Sequence, residues 1–295
     1  MAEWSIRPFA RTVSDARGIL AVEQETFHEC PYTPQELCSR LRRPQQRVWV
    51  AEGGGQVVGF VAGLCTGGLQ GPLIEADLLA VRPAWQGRGI ASALLAALRR
   101  DAVGVAGLRG VVRVENAPAR AAFARAGFHP CAGAYDLLLY RILGRVPGAL
   151  AAWGGTVRPL RDAGEAATLA AVSSGTFPSG ERIWAASGRA GTVVLVANGA
   201  AGVVGGVELL EVHTLLYSGL WLERLGLAGG QAGLRAALIA AAVEHAKARG
   251  LDAVGCLAPE GDARLSGALL EAGFRRLDRY QVWMAPPLPA AGGDR

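Results

Sequence analysis

The chain has 295 residues, enough for two domains of about 150 residues that each bury a hydrophobic core of their own. It is 51% hydrophobic and 19% charged, a balance that excludes intrinsic disorder. Its net charge of +5 comes from 30 basic residues that are spread along the chain, so the sequence predicts no nucleic-acid partner.

The N-terminus lacks the features of an export or membrane signal. No basic segment followed by an apolar run occurs there, and no later stretch offers about 18 uninterrupted apolar residues. We therefore predict a cytoplasmic protein with no membrane partner. The five cysteines are scattered and form no C-x-x-C pair, so the sequence predicts neither a disulfide framework nor a metal site.

The first predicted elements are a helix and a hairpin. Thr33 and Glu36 flank a proline in the pattern of a capping box, which predicts the start of a helix. Two β-rich runs, at residues 47–52 and 57–65, lie on either side of Gly53–Gly55 and predict a β-hairpin. The later elements of this half are predicted as a strand over 73–81, a helix after Gly89, a strand over 110–114, a helix capped by Asn116 and ended by Gly127, and a strand over 135–142.

The second half of the chain repeats the pattern of the first. Four segments recur in the same order at nearly constant spacing: Val157 lies 151 residues after Ile6, Val196 lies 146 after Val50, Gly233 lies 144 after Gly89, and Ala272 lies 146 after Ala126. A repeat of this kind indicates a duplicated domain. We place the boundary near residue 148, which divides the chain into residues 1–148 and 149–295.

The most informative stretch is a strand that passes through a glycine-rich turn into a helix. Glycines in such a turn let backbone N–H groups converge, and the start of the helix adds partial positive charge. The stretch therefore predicts a site for a diphosphate group. A dinucleotide-binding loop would require the strand to lead directly into the first glycine, whereas Pro83–Trp85 intervene here.

This stretch resembles the acyl-CoA-binding motif V-x-P-x-x-[Q/R]-x-x-G-x-[G/A] of the GNAT N-acyltransferase superfamily. Every specified position is met, by Val81, Pro83, Gln86, Gly89 and Ala91. The superfamily's second signature, an asparagine followed by a helix that ends in Gly-Phe, is similar to Asn116, Gly127 and Phe128. Together the similarities cover about residues 4–142.

The resemblance implies an α/β fold of two tandem GNAT-like domains, each with a mixed, mostly antiparallel central sheet flanked by helices. It implies acetyl-CoA or another acyl-CoA as cosubstrate, with no metal. The backbone of Leu79, Ala80 and Val81 would pair with pantetheine like an added strand. The pyrophosphate would be held by Gln86, Gly87, Arg88, Gly89, Ile90 and Ala91. Asn116 would face the pantetheine arm, cap its helix, or do both.

In the resembled superfamily an amine attacks the thioester directly, so a base must remove a proton. Glu75 and Asp77 precede the coenzyme-binding segment, and strand alternation places them on one face. They are the candidate bases, although such carboxylates can also merely solvate a strand. Members commonly carry a tyrosine seven residues after the asparagine, where this chain has Phe123, which cannot donate a proton. Tyr135, Tyr140 or water would then protonate the leaving thiolate, or this copy binds the coenzyme without efficient transfer.

The second copy departs further from the motif. Aligned on Gly233, it has other residues at five positions of the motif region: Leu227 for Pro83, Gly230 for Gln86, Gln231 for Gly87, Ala232 for Arg88 and Arg235 for Ala91. We therefore predict coenzyme binding in the N-terminal domain alone, with a degenerate C-terminal domain that shapes the substrate cleft. Tandem GNAT proteins include the mycothiol synthase family, and the similarity here is to that organisation rather than to its specificity.

The leading hypothesis is an N-acetyltransferase that acts on a primary amine of a small molecule, as a monomer or a homodimer. The acceptor is expected to contact the helix-helix region near Phe27, His28 and Tyr32. Two alternatives stay open, namely an acyl-CoA-binding regulatory protein that has lost catalysis and a protein acetyltransferase.

Overall fold

A computed structural model describes residues 3–28, 30–142, 153–215, 217–229 and 233–288. The elements of the first half are β1 (Trp4–Pro8), α1 (Val13–Thr26), α2 (Pro34–Leu41), β2 (Gln46–Gly53), β3 (Gln56–Gly68), β4 (Gly71–Val81), one 3-10 turn (Pro83–Trp85), α3 (Ile90–Arg100), β5 (Gly107–Arg113), α4 (Ala117–Arg125), β6 (His129–Pro130) and β7 (Tyr135–Arg141). Those of the second half are β8 (Thr156–Pro159), α5 (Ala163–Val172), α6 (Gly180–Ser187), β9 (Thr192–Gly199), β10 (Gly202–His213), β11 (Ser218–Leu227), α7 (Leu234–Ala248), β12 (Ala253–Pro259), α8 (Ala263–Glu271) and β13 (Arg275–Ala285).

Local sequence signals fix several helix ends as predicted. Thr33 and Glu36 form the complete capping box at the start of α2. Asn116 caps α4 by accepting a hydrogen bond from the Ala119 N–H at 3.0 Å. Gly127, just after α4, has a φ of 77°, the left-handed conformation that ends a helix. The initial strands β1 and β8 were not predicted, although both lie in the repeated segments.

All the strands belong to a single sheet rather than to one sheet per half. The order is β1-β2-β3-β4-β5-β13-β7-β12-β11-β10-β9-β8, with β6 paired to β13. The pairs β4–β5 and β11–β12 are parallel, and all the other pairs are antiparallel. The two halves have therefore exchanged their last strands, since β13 lies beside β5 and β7 lies beside β12. Tyr135 and Tyr280 face each other at the centre.

The halves also exchange hairpin tips on one face of the sheet. Leu215, which follows β10, is 1% exposed and packs in the core under α1 and α2. Leu69, which follows β3, is 2% exposed and packs in the core under α5 and α6. Burying a leucine side chain stabilises a fold by about 1.5–3 kcal/mol, so each tip stabilises the contact between the two halves.

The opposite face of the sheet carries the remaining helices, with α3 and α4 covering the first half. Their core includes Trp283 of β13, so the exchanged strand completes the core of the first half. The predicted boundary near residue 148 lies outside the described residues, and the division at 148 stays a prediction. In the part of the chain that the structure describes, no helix has the length and apolar character needed to cross a bilayer.

Candidate active site

The glycine-rich turn between β4 and α3 has the geometry of an anion site. Gly87 and Gly89 have φ values of 76° and 80°, in the left-handed region that glycine adopts without strain. Apart from the adjoining residues of the chain, no heavy atom lies within 4 Å of where a Cβ at either position would stand, so this side of the backbone is open. Gly89 is the N-cap of α3, and no side chain caps the helix there.

The backbone N–H groups of this turn are available to a ligand. Within the described ranges, the N–H groups of residues 87–92 donate to no protein acceptor, and the first bond of α3 runs from the Ala93 N–H to the Gly89 carbonyl. The partial positive charge at the start of α3 adds to them. The turn therefore has the geometry of a site for a phosphate-like anion, and its binding of a diphosphate stays a prediction.

The polar side chains of the turn stabilise its shape. Gln86 Nε2 donates to the Val81 carbonyl at 3.0 Å, which joins the turn to the end of β4. The Arg88 guanidinium lies 4.7 Å from the centroid of the Trp85 ring and donates to the Ala84 carbonyl at 3.0 Å. The anion site is thus built from main-chain groups that these side chains position.

A gap opens between β4 and β5 next to this turn. The parallel pairing joins residues 73–76 to residues 107–110 and then stops. Beyond it β5 continues along β13, whereas the β5-facing edge of Leu79–Val81 has no strand partner among the described residues. This edge can pair with an extended, amide-containing ligand.

Asp77 lies at a β-bulge where the gap begins. The register between β3 and β4 shifts there, so Asp77 is the extra residue between the pairs Gly63–Ala76 and Ala62–Leu78. Its Oδ2 accepts a hydrogen bond from the Leu215 N–H at 3.1 Å. Burial raises the pKa of Asp77 to about 7, and the charge of Glu75 adds to that rise, while the Leu215 hydrogen bond opposes it.

Glu75 is held in an ion-pair network that joins the two halves. Arg109 Nη2 lies 2.6 Å from Glu75 Oε2 and 2.9 Å from Glu223 Oε1 of the second half. Burial alone would lower the pKa of Arg109, but both carboxylates raise it, so the guanidinium stays charged. Glu75 and Asp77 line one small cavity, where the Glu75 carboxylate is bonded to Arg109, and their role as bases stays a prediction.

The tyrosines considered as proton donors lie in different parts of the structure. Tyr135 lines a cleft at the centre of the sheet, and Tyr217 lines the small cavity together with Asp77. Burial raises the pKa of Tyr217, and the nearby charges of Asp77 and Glu75 raise it further, so its hydroxyl stays neutral. Tyr140 is buried in the core of the second half and lies away from the gap between β4 and β5.

Phe123 is a core residue. Its ring packs edge-on against Phe128, with centroids 4.9 Å apart, and lies 6.4 Å from the ring of Trp283. A Cβ at Gly110 of β5 would collide with it. This position therefore offers packing and no proton donor.

The second half has the same bulge but a different environment. The register between β10 and β11 shifts at Glu223, which makes Glu223 the structural counterpart of Asp77. Leu227 pairs with Gly205 just as Val81 pairs with Gly59, so the alignment of Leu227 with Pro83 was wrong and the second loop is shorter. Residues 230–232 lie outside the described residues.

Arg109, Glu223 and Leu215 were missed in the sequence analysis. The repeat carried a signal for Glu223, because the 146-residue spacing that relates Val50 to Val196 also relates Asp77 to Glu223. Neither Arg109 nor Leu215 carries a comparable signal, since both act through contacts between distant parts of the chain.

Comparison with known proteins agrees with this geometry. Residues 44–130 match the family model of the acetyltransferase (GNAT) domain, a segment that includes β4, the glycine turn and α4. The sequence matches none of the curated proteins.

Solved structures share the fold over almost the whole chain. A GCN5-related N-acetyltransferase from Sphaerobacter thermophilus is 17% identical, with a TM-score of 0.62, over 97% of this chain and 96% of that one. A tandem GNAT protein from the clavulanic acid biosynthesis pathway is 18% identical, with a TM-score of 0.55, over 97% and 99%. The glucosamine N-acetyltransferase region of a fungal multi-domain GH3 beta-N-acetylglucosaminidase is 17% identical, with a TM-score of 0.60, and this chain spans 38% of that longer protein.

These sequence identities are too low to infer the substrate of this protein from that of a similar structure. The similarity to the mycothiol synthase family stays a prediction. Residues 44–130 thus match the acetyltransferase (GNAT) domain, and the chain shares its fold with a tandem GNAT protein.

Proposed function

We propose that the protein is an N-acyltransferase that moves an acetyl or other acyl group from acyl-CoA to a primary amine of a small molecule. The observation that carries the proposal is the position of Asp77. Its carboxylate lies where the gap between β4 and β5 begins, in the segment that leads to the open glycine turn. Its pKa of about 7 suits a base that works near neutral pH.

Coenzyme binding is assigned to the first half. The free N–H groups of residues 87–92 suit the pyrophosphate, and the unpaired edge of Leu79–Val81 suits the pantetheine amides. Asn116 lies at the start of α4, where its side chain already caps the helix. Bound there, acyl-CoA supplies an activated acyl thioester.

Asp77 then acts as the base of the reaction. Amines are mostly protonated at neutral pH, so the Asp77 carboxylate takes the proton that frees the nitrogen lone pair. As the amine nitrogen forms its bond to the acyl carbon and the carbon-sulfur bond breaks, the nitrogen loses a second proton and the leaving thiolate takes up one, so the products are the amide and the free thiol of CoA while the first proton stays on Asp77. Arg109 holds Glu75 beside Asp77, which keeps a second negative charge next to the incoming ammonium.

We assign the proton donor to the thiolate either to a tyrosine that lines one of the cavities near Asp77 or to water. Phe123 cannot fill this role because it is a packed hydrocarbon ring. Tyr217 shares the cavity of Asp77, whereas Tyr135, the residue predicted for this role, lines the larger cleft beside it. The comparison of Tyr217→Phe with Tyr135→Phe separates them, because loss of the donor lowers kcat and leaves the affinity for acetyl-CoA unchanged.

A titration with acetyl-CoA followed by an assay of free thiol release over a panel of amines tests the proposal. We expect binding together with amine-dependent release of CoA. Binding without turnover on any amine would favour the alternative of an acyl-CoA-binding regulatory protein, which the loss of a tyrosine at Phe123 supports. Turnover on lysine side chains of proteins alone would favour protein acetylation.

A further inference from the structure

Two adjoining cavities lie beside Asp77. The smaller has a volume of about 40 Å³, and Glu75, Asp77 and Tyr217 line it. The larger, the central cleft, has a volume of about 330 Å³, and residues of both halves line it. Arg109 and Trp221 belong to the walls of both cavities, so the two cavities lie side by side. A cavity of the smaller size holds one water or one ammonium group.

The charge around the smaller cavity is negative. Glu75, Asp77 and Glu223 contribute three carboxylates, and Arg109 contributes one guanidinium, so the net charge is −2 with Asp77 ionised and −1 with Asp77 protonated. The hydrogen bonds of Arg109 run to both glutamates, and each of its three nitrogens is engaged. The other arginine of the central cleft, Arg224, is paired with the buried Glu208.

The walls of the central cleft are mixed in character. Hydrophobic side chains come from five strands: Leu73, Leu210, Trp221, Leu257, Val282 and Met284. Polar and charged side chains, among them Tyr135, Glu223 and Arg224, line the rest of the wall. Such a surface fits a small organic body, with a few polar groups that fix its orientation. The volume of the cleft lies at the lower end of the range typical of small-molecule pockets.

We propose, resting on the function proposed above, that the acceptor is a primary amine whose body carries no acidic group. The ammonium group occupies the small cavity beside Asp77, and the body occupies the central cleft. Glu223 of the second half is a specificity-determining residue, because it engages Arg109 and adds a negative charge to the site. An amino acid is disfavoured because its carboxylate would lie among carboxylates, facing an arginine that is already bonded.

The test uses paired acceptors with acetyl-CoA. 2-Phenylethylamine and phenylalanine differ by one carboxylate, and we expect kcat/KM for the amine to exceed that for the amino acid by about 100-fold or more. Alkylamines paired with the corresponding α-amino acids extend the comparison to bodies without a ring. Equal rates within the pairs, or a preference for the amino acids, would overturn the inference.

Glu223→Gln tests the residue that sets the preference. This variant removes one negative charge and weakens the interaction with Arg109. We therefore expect the ratio of kcat/KM for the amine to that for the amino acid to fall about tenfold. The matched control is Glu260→Gln, because Glu260 is exposed and bonded to Arg279 outside the two cavities. A preference that Glu223→Gln leaves unchanged would refute the assigned role of Glu223.

Titration of the same samples with acetyl-CoA keeps this inference separate from the proposed function. Protein that binds acetyl-CoA and acetylates the amino acids, or other acidic acceptors, refutes the acceptor class and leaves the acyltransferase intact. Protein that binds acetyl-CoA but acetylates none of the paired amines also refutes the acceptor class. Protein that binds no acyl-CoA refutes the proposed function itself.

Discussion

The same backbone bulge occurs in both halves, but its acidic residue has a different partner in each. In the first half, Asp77 faces a small cavity and accepts a hydrogen bond from the Leu215 N–H. In the second half, Glu223 reaches across to Arg109 and completes an ion-pair network with Glu75. A carboxylate bonded to a guanidinium is a poor base. Duplication thus supplied two equivalent carboxylates, of which one remains available for proton transfer.

The strand positions next to the bulge differ as well. In the first half Glu75 pairs with Arg109, the residue opposite it on β5. In the second half the corresponding pair is Trp221 and Gly255, and the indole ring lies so close to Gly255 that a Cβ there would collide with it. The ion pair of the first half is therefore replaced by an aromatic ring in the second half. We therefore expect the second half to contribute walls to the cleft rather than a second reaction centre.

The largest expected effect comes from Asp77→Asn. Asparagine keeps the shape and the hydrogen bond from the Leu215 N–H but cannot take a proton, so we expect kcat to fall about 10²- to 10⁴-fold. The limb of the pH-rate profile that rises through pH 7 should disappear, because the group with the pKa of about 7 is gone. Glu223→Gln, the change at the corresponding bulge, should lower kcat about tenfold or less.

The affinity for acetyl-CoA, measured by calorimetry, should stay unchanged in both of these variants. If the Asp77→Asn variant kept the wild-type kcat, Asp77 would not be the base of the reaction. Equal losses from Asp77→Asn and Glu223→Gln would show that the two bulges are functionally equivalent.

The exchanged hairpin tips give the next prediction. Leu215→Ala and Leu69→Ala each leave a cavity in a packed core, so each should lower the free energy of unfolding by about 2–5 kcal/mol in urea titrations. Leu215→Ala should also lower kcat/KM, because the backbone N–H of residue 215 positions Asp77. Leu277→Ala is the control, since this leucine is 52% exposed. Losses no larger than that of Leu277→Ala would contradict the interlocked packing.

The two N-cap glycines allow a matched test of coenzyme binding. Gly89 and Gly233 have φ values of 80° and 79°, so substitution strains both turns alike. Gly89→Asp should weaken acetyl-CoA binding about 100-fold, because a carboxylate there repels the pyrophosphate. Gly89→Asn introduces the same strain without the charge, so it should weaken acetyl-CoA binding less. Gly233→Asp should leave acetyl-CoA binding unchanged. If only Gly233→Asp weakened acetyl-CoA binding, the coenzyme site would lie in the second half.

The smallest expected effect is on the pH dependence of stability. The folded protein binds a proton at Asp77 up to a pH of about 7, whereas the unfolded chain releases it near the usual pKa of 3.8. The free energy of unfolding therefore falls as the pH rises between these values, by about 1 to 2 kcal/mol, because the Asp77 side chain is half-buried and the remaining solvent screens part of the effect. Asp77→Asn should remove that slope in urea titrations at several pH values. An identical slope in the variant would show that Asp77 titrates normally.

Much of the first half could be predicted because its signals are local. The capping box at Thr33 and the left-handed Gly127 each depend on a few neighbouring residues, and the structure confirms both. The exchange of β7 and β13 could not be predicted. Because the halves are copies of each other, either last strand presents a similar edge to β5 or β12, and the pattern of a strand does not say which copy it joins.

The candidate site was predictable to the same extent. The glycine turn and Asp77 follow from the motif and its spacing, whereas the partners of Asp77 and Glu75 come from the second half. The bond from Leu215 to Asp77 joins residues 138 positions apart, and the bond from Arg109 to Glu223 joins residues 114 apart. No local pattern encodes contacts at such distances.

The most direct measurement of the central claim is amide hydrogen exchange with and without acetyl-CoA. The free N–H groups of residues 87–92 and the open edge of residues 79–81 should exchange more slowly once the coenzyme is bound, while the start of α7 at residues 234–238 should be unaffected. Slower exchange at the start of α7, with no change at residues 87–92, would contradict the assignment of coenzyme binding to the first half.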